Sequence, residues 1–397
     1  MTLELAVLDH VVLGASALFD AKRQAMAMRL TVFPQRAGET PDVAGLLAML
    51  ESAWPDEAGP LLLHIASEAG LHALVALAPP PHLQIEVPGF LLADDALLAA
   101  LQARVAQGQV LALFGHAPAA LAPEAMAIFR FAVVDAAETG PLPLGNGGRP
   151  LGRLVTGVPT MAQASALLKG GAAAVVGWPL GEPPGADAKQ RSVPAGVQTV
   201  VDLMQRVDRE EPADRLEAVV RNDPTIAFRL LRYINSPGFG LSVEISSFRH
   251  ALMILGYQRL KRWLALLVTS AIDDPDLKPL MQLAVRRGLL MEELGRPNND
   301  DAMRNELFIC GVFSLLDRML GQPFPKLLKT IPVQESVQQA LSEDTGPLAP
   351  FLAVARAVES ERVYDIREAA ERLMLTTGDV NRALVRSLAT ARGLAAL

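Results

Sequence analysis

The chain has 397 residues, of which 51% are hydrophobic and 20% charged, so it can bury two or three ordinary cores and is not a disordered chain. Its net charge of -7 gives no global positive field toward nucleic acid or an anionic lipid surface, and neither is expected as a partner. The single cysteine, Cys310, excludes an internal disulfide and a cysteine-rich zinc site and suits a reducing compartment, so a cytoplasmic address is expected.

Met1 to His10 carries Glu4 and Asp9 and no basic segment ahead of a long apolar run, so no export signal is expected. The most apolar long stretch, Pro60 to Pro81, is interrupted by His64, Glu68, Gly70 and His72. It falls short of the roughly 20 apolar residues a membrane helix needs, and no membrane insertion is expected. Short β-type runs at Leu83 to Val87, Val110 to Phe114 and Phe131 to Val134 alternate with helical stretches such as Asp94 to Ala106, which makes the first half α/β.

Between Gly181 and Gly196 the stretch GEPPGADAKQRSVPAG has the proline, glycine and charge content of an interdomain linker. The expected organisation is one domain over residues 1–185, a linker over 186–195 and a second domain over 196–397. After the linker, Val197, Val200, Val201, Met204 and Val207, and then Leu260, Trp263, Leu264, Leu267 and Val268, recur at helical spacing. Asp223-Pro224 and Ser246-Ser247 supply plausible helix starts, and the second half reads as all-α.

The segment NDPTIAFRLLRYINSPGFGLSVEISSFRHALMILGYQRLKRWLALLV, residues 222–268, closely resembles the core of HDOD domains, helical relatives of the HD phosphohydrolases. The resemblance rests on Asp223-Pro224, the turn from Leu230-Leu231 to Asn235-Ser236, Ser247 with His250-Ala251, and Leu255-Gly256 followed by Leu260 and Trp263. HD enzymes hold a divalent metal with a His-Asp pair. On that alignment Ser314 and Leu315 stand at the His and Asp positions, and Asp317 is read as a helix-surface carboxylate paired with Arg318 or solvent. Cys310 is read as core filling.

Leu18-Phe19-Asp20-Ala21-Lys22-Arg23, followed by Ala27-Met28-Arg29-Leu30, resembles the opening strand-turn-strand of EAL domains, cyclic-di-GMP phosphodiesterases of the (β/α) barrel class. Gln84 to Val87, Ala132 to Asp135, Leu154 to Thr160 and Gly177 to Leu180 fall where such domains place later strand ends. The resemblance implies carboxylate and amide ligands for two cations, yet Arg29 stands at the position of the first glutamate and Phe114-Gly115 at the paired aspartates. Val133, Pro159 and Val176 replace further polar positions, and only Glu86 and Asp135 remain of the acidic set. The proline- and glycine-rich stretch between Asp135 and Thr156 leaves no room for a barrel helix, so an incomplete, TIM-barrel-like EAL remnant is expected.

With both ligand sets altered, no catalytic residue, metal or cofactor is expected. The chain is read as a non-enzymatic bacterial signalling adaptor that contacts other signalling proteins, with a homodimer a reasonable assembly. The alternative is a cyclic-di-GMP receptor in which Arg29 and Arg130 pair with phosphates; a cyclic dinucleotide is the less favoured partner. Partner contacts are expected at Arg232, Asn235, Ser236, Phe239 and Arg259, since a loop carrying an aromatic beside arginines has the makeup of an interface hot spot.

Overall fold

The structure is a computed structural model and describes residues 6–36, 38–54, 59–116, 123–138, 148–185, 194–221, 248–272 and 274–395. Contacts divide the chain into two units, Met1–Gly181 with Ala357–Arg382, and Glu182–Arg356 with Ala383–Leu397. The linker-based division had assigned all of 196–397 to the helical half, but Ala357–Arg382 packs with the N-terminal unit.

In the first unit, Val11–Phe19 (β1) runs into Ala25–Pro34 (β2) through a tight turn. Asp20 shapes the turn because its carboxylate accepts from the backbone N–H of Lys22 and of Gln24, each at 2.9 Å. The strands Leu61–Ile65 (β3), Leu83–Pro88 (β4), Leu111–Phe114 (β5), Phe131–Asp135 (β6), Gly152–Thr156 (β7) and Ala174–Val176 (β8) follow. The helices Val43–Ala53 (α1), Glu68–Leu77 (α2), Asp95–Ala106 (α3), Pro123–Met126 (α4) and Met161–Lys169 (α5) lie between them. Asp42, Ser67, Asp94 and Thr160 cap α1, α2, α3 and α5, each side chain accepting from a first-turn N–H.

The eight strands close into a barrel in the order β1 to β8. β1 is antiparallel to both β2 and β8, and every other neighbouring pair is parallel. This corrects the expectation of an incomplete barrel. Closure needs only that β1 meet β8, which it does at Leu18 opposite Val176 and Phe19 opposite Val175. The proline- and glycine-rich stretch that prompted the expectation lies partly in residues 139–147, outside the described residues.

Strand alternation sets what fills the barrel. Leu18, Ala27, Leu62, Ala112, Val133, Leu154 and Ala174 form one buried apolar layer. Two residues further toward the C-terminal ends of the parallel strands, the same inward face carries Ser16, Arg29, His64, Glu86, Phe114, Asp135 and Thr156. The sequence thus builds an apolar floor and sets a polar layer above it. The end of the barrel that this layer faces is the one where (β/α) barrels carry their sites.

The second unit is helical: Ala195–Asp208 (α6), Ala213–Arg221 (α7), Phe248–Ser270 (α8), Lys278–Leu294 (α9), Asp301–Phe313 (α10), Leu316–Leu320 (α11), Phe324–Leu327 (α12), Glu335–Ser342 (α13) and most of Ala349–Ser360 (α14). Gly256 breaks α8 at φ 70°, a conformation that glycine adopts without penalty. α9 and α10 cross at Gly288 and Gly311, where a Cβ on residue 311 would fall 2.5 Å from the Gly288 Cα. Cys310 is fully buried beside this crossing, and burial pushes its thiol up to about 12.

The end of α14, then Val363–Arg372 (α15) and the first turns of Thr377–Ala395 (α16), belong to the first unit. Asn381, fully buried, accepts from the Leu13 N–H at 3.0 Å and donates to the carbonyls of Leu8 and Val11 at 2.7 and 2.8 Å. Arg367 donates to the carbonyl of Gln35, and Arg382 pairs with Asp9 at 2.8 Å. Val11 lies opposite Pro34 in the β1–β2 register, so these anchors tie the segment to the C-terminal end of the parallel strands.

Candidate functional site in the barrel mouth

Arg29 and Glu86 meet inside the barrel from β2 and β4. Arg29 Nε and Nη2 donate to the two carboxylate oxygens of Glu86 at 2.8 and 2.7 Å, a bidentate pair between side chains that solvent hardly reaches. His64 Nδ1 lies 3.0 Å from Glu86 Oε1. Burial alone would raise the Glu86 carboxyl, but the hydrogen bonds and charge of Arg29, with His64, outweigh it and hold the group at about 2. Glu86, together with Glu361 from the segment between α14 and α15, outweighs the burial of Arg29 and keeps its guanidinium firmly charged. Phe114 covers the group, with its ring 5.2 Å from that of His64 and 5.9 Å from the Arg29 guanidinium carbon.

The remaining member comes from far along the chain. Glu361, between α14 and α15, accepts from Arg29 Nη1, from Ser16 Oγ, and from Thr31 Oγ1 at 2.6 Å. Two carboxylates and one guanidinium therefore share the mouth. A guanidinium locked between carboxylates does not fit a two-cation site, because Arg29 takes up the carboxylate oxygens a cation would need and the cation would face a fixed positive charge. Among the described residues no cluster of three or more histidine, cysteine, aspartate or glutamate side chains could hold a metal ion.

Of the three positions singled out in the barrel from the sequence, Arg29 and Glu86 come together and Asp135 does not join them. Asp135 is exposed and accepts from the Ala137 N–H at 2.8 Å, closing the turn after β6. Arg130 lies over the Phe131 ring, 5.4 Å from its centroid. Glu361 was not singled out: it sits in an ordinary helix-rich stretch, and nothing in its local sequence couples it to Arg29.

In the helical unit, Arg232, Asn235, Ser236 and Phe239 lie outside the described residues, as do Asp223-Pro224 and Ser246-Ser247. Arg259 is exposed on α8 and lines a cleft of about 330 Å³ with Arg262, Trp263, Glu292 and Arg304. The positive run around it is locally neutralised: Arg249 meets Asp214, Lys261 meets Asp208, and Arg262 meets Glu292 at 2.7 Å. Ser314 is buried, donates to the Gly311 carbonyl at 2.7 Å and accepts from Arg287 at 3.2 Å. Asp317 pairs with Arg318 at 3.0 Å, but it is only 2% exposed, so it is a buried carboxylate and not a surface one. Burial raises its carboxyl despite Arg318. No described helix is long and apolar enough to cross a membrane.

Residues 192–340 match the HDOD domain family, and an HDOD domain is present in the helical unit. The chain is also 30% identical over 200 residues to the cyclic di-GMP phosphodiesterase CdgJ of Vibrio cholerae serotype O1, a match that covers 50% of this chain and 46% of that protein. A second relative, the uncharacterized protein YuxH of Bacillus subtilis strain 168, is 24% identical over 163 residues, 40% of each chain. The chain spans less than half the length of these relatives. An EAL domain is not shown by these similarities; the first unit is an eight-stranded closed barrel of TIM-like type. The expectation of a chain without enzymatic activity is contradicted by this comparison, since the similar Vibrio protein is named a cyclic di-GMP phosphodiesterase.

Proposed function

We propose that the chain is a bacterial signalling regulator in a cyclic-di-GMP-linked pathway, and that its HDOD-containing helical unit engages a protein partner. The observation that carries this reading is the HDOD match over residues 192–340 in a chain similar to a cyclic di-GMP phosphodiesterase. On this reading Arg259, Arg232, Asn235, Ser236 and Phe239 contact the partner, with arginine and aromatic side chains supplying most of the binding energy. The test is quantitative binding of a partner identified by cross-linking in the source cells. R259E is expected to weaken that partner at least about tenfold without lowering the melting temperature, the effect of removing one hot-spot charge. Unchanged affinity in R259E together with F239A would exclude these contacts.

A second reading is favoured by the name of the similar Vibrio protein: the chain binds cyclic-di-GMP and turns it over. Incubating the full chain with cyclic-di-GMP and either magnesium or manganese, and following linear product by chromatography, decides between turnover, binding without turnover, and neither. Turnover that is lost in E86Q would place the reaction in the barrel.

A further inference from the structure

We propose that Ser16, Arg29 and Thr31 form an oxyanion-binding cradle in the barrel mouth, that Glu361 is its internal occupant, and that a phosphate or carboxylate group entering from outside binds by displacing the segment that carries Glu361. The inference goes beyond the signalling reading and holds whether or not a cyclic dinucleotide is the natural ligand.

The cradle is built by one hairpin. In the β1–β2 register Ser16 lies opposite Arg29 and Gly14 opposite Thr31, so the three donors sit on rungs two apart, which share one face of the hairpin. They present one hydroxyl to one oxygen of the Glu361 carboxylate, and a guanidinium N–H and a second hydroxyl to the other. This is the donor set an oxyanion requires. Gly14 completes it by making room: a Cβ there would lie 2.9 Å from the Glu361 Cα. The site opens at the C-terminal ends of the parallel strands, where barrels of this kind bind ligands.

Three observations make Glu361 the displaceable member. Arg29 is already matched by Glu86 through two hydrogen bonds, so Glu361 is the surplus carboxylate of the group. Its side chain is 12% exposed while that of Glu86 is completely buried, so it reaches in from the solvent side. It also holds φ at 53° where α14 ends, a left-handed conformation that is unfavourable for a glutamate. Tyr364 and Met374 on the same segment are exposed, whereas Ile366, Ala369 and Ala370 are buried, so displacement must loosen the packing of one face of α15. An outside oxyanion and Glu361 then compete for one set of donors, and each must weaken the other.

The test uses inorganic phosphate at constant ionic strength with the full chain, its E361Q and E361A variants, and E361A/T31V. Phosphate affinity is measured by calorimetry, and opening of residues 362–376 by amide hydrogen exchange. Removing the internal competitor is expected to tighten phosphate binding at least about tenfold in E361Q and E361A, and saturating phosphate is expected to speed exchange of 362–376 in the wild type about threefold or more. The gain is expected to disappear in E361A/T31V, which lacks one donor of the cradle. Equal phosphate affinity in wild type and both single variants would overturn the proposal, as would exchange in 362–376 that ignores phosphate. Failure of both single variants to fold would also overturn it, by making Glu361 an obligatory part of the barrel.

Discussion

Arg29 and Glu86 close a bidentate ion pair across the barrel interior, linking β2 and β4 past the intervening β3. Such a pair contributes little over an apolar replacement, but breaking it from one side leaves an uncompensated buried charge. The two sides are not equivalent here, because Glu361 also reaches Arg29. R29M strands two carboxylates and is expected to cost about 3–5 kcal/mol. E86Q leaves Arg29 paired with Glu361 and is expected to cost about 1–3 kcal/mol. Urea unfolding of the two variants checks the order; an E86Q penalty equal to or larger than that of R29M would contradict the shared-charge arrangement.

The same pair makes stability depend on acid. The Glu86 carboxyl is held at about 2, below its ordinary value of 4.5, so its contribution is fully present above pH 4.5 and is lost as pH falls from there through about 2. The shift corresponds to at most about 3 kcal/mol. Denaturation midpoints measured from pH 6 down to pH 2 should fall more steeply in the wild type than in E86Q. Parallel curves would show that Glu86 does not carry the difference.

Much of the first unit was legible in the sequence because strands and capped helices carry local signals. Leu83 to Val87 and Phe131 to Val134 became β4 and β6, and Asp94 to Ala106 became α3 with Asp94 as its cap. Closure of the barrel was not legible, because it depends on the β1–β8 pairing, and a proline-rich connection between β6 and β7 says nothing about that ladder. Arg29 was visible as a cation where the resemblance implied a glutamate, but its consequence was not: a lone cation there reads as a loss until Glu361, more than three hundred residues away, is placed against it. The burial of Asp317 was missed for a similar reason, since Arg318 beside it makes the pair look like a solvated helix face.

In the helical unit the crossing of α9 and α10 depends on two glycines facing each other. A methyl group at residue 311 would meet the Gly288 backbone at 2.5 Å, and backbone cannot swing aside as a long side chain can. G311A is expected to destabilise the helical unit by about 2–4 kcal/mol and to make Cys310 react with a thiol reagent well before global unfolding. In the wild type the buried thiol, pushed up to about 12, should react only as the unit unfolds. A G311A protein as stable as the wild type would mean that the helices can separate at no cost.

The last prediction concerns the return of the chain to the barrel. Asn381 satisfies the carbonyls of Leu8 and Val11 and the N–H of Leu13 with one buried side chain, a role that no other residue type of its size fills with both a donor pair and an acceptor. Asn381→Leu removes all three bonds and leaves three backbone groups at the start of β1 without them. Each unmade bond costs about 1–3 kcal/mol when the group stays buried, so the variant is expected to lose at least about 3 kcal/mol. Ending the chain at residue 185 removes Asn381 together with Arg367, Arg382 and Glu361, and strips the cover from the polar end of the barrel. The fragment 1–185 is therefore expected to melt well below the barrel in the intact chain, and adding a peptide of residues 357–382 in trans is expected to raise its melting temperature in proportion to the logarithm of peptide concentration. A fragment as stable as the barrel in the full chain, or one indifferent to the peptide, would show that the returning segment is a passenger on the barrel and not a part of its fold.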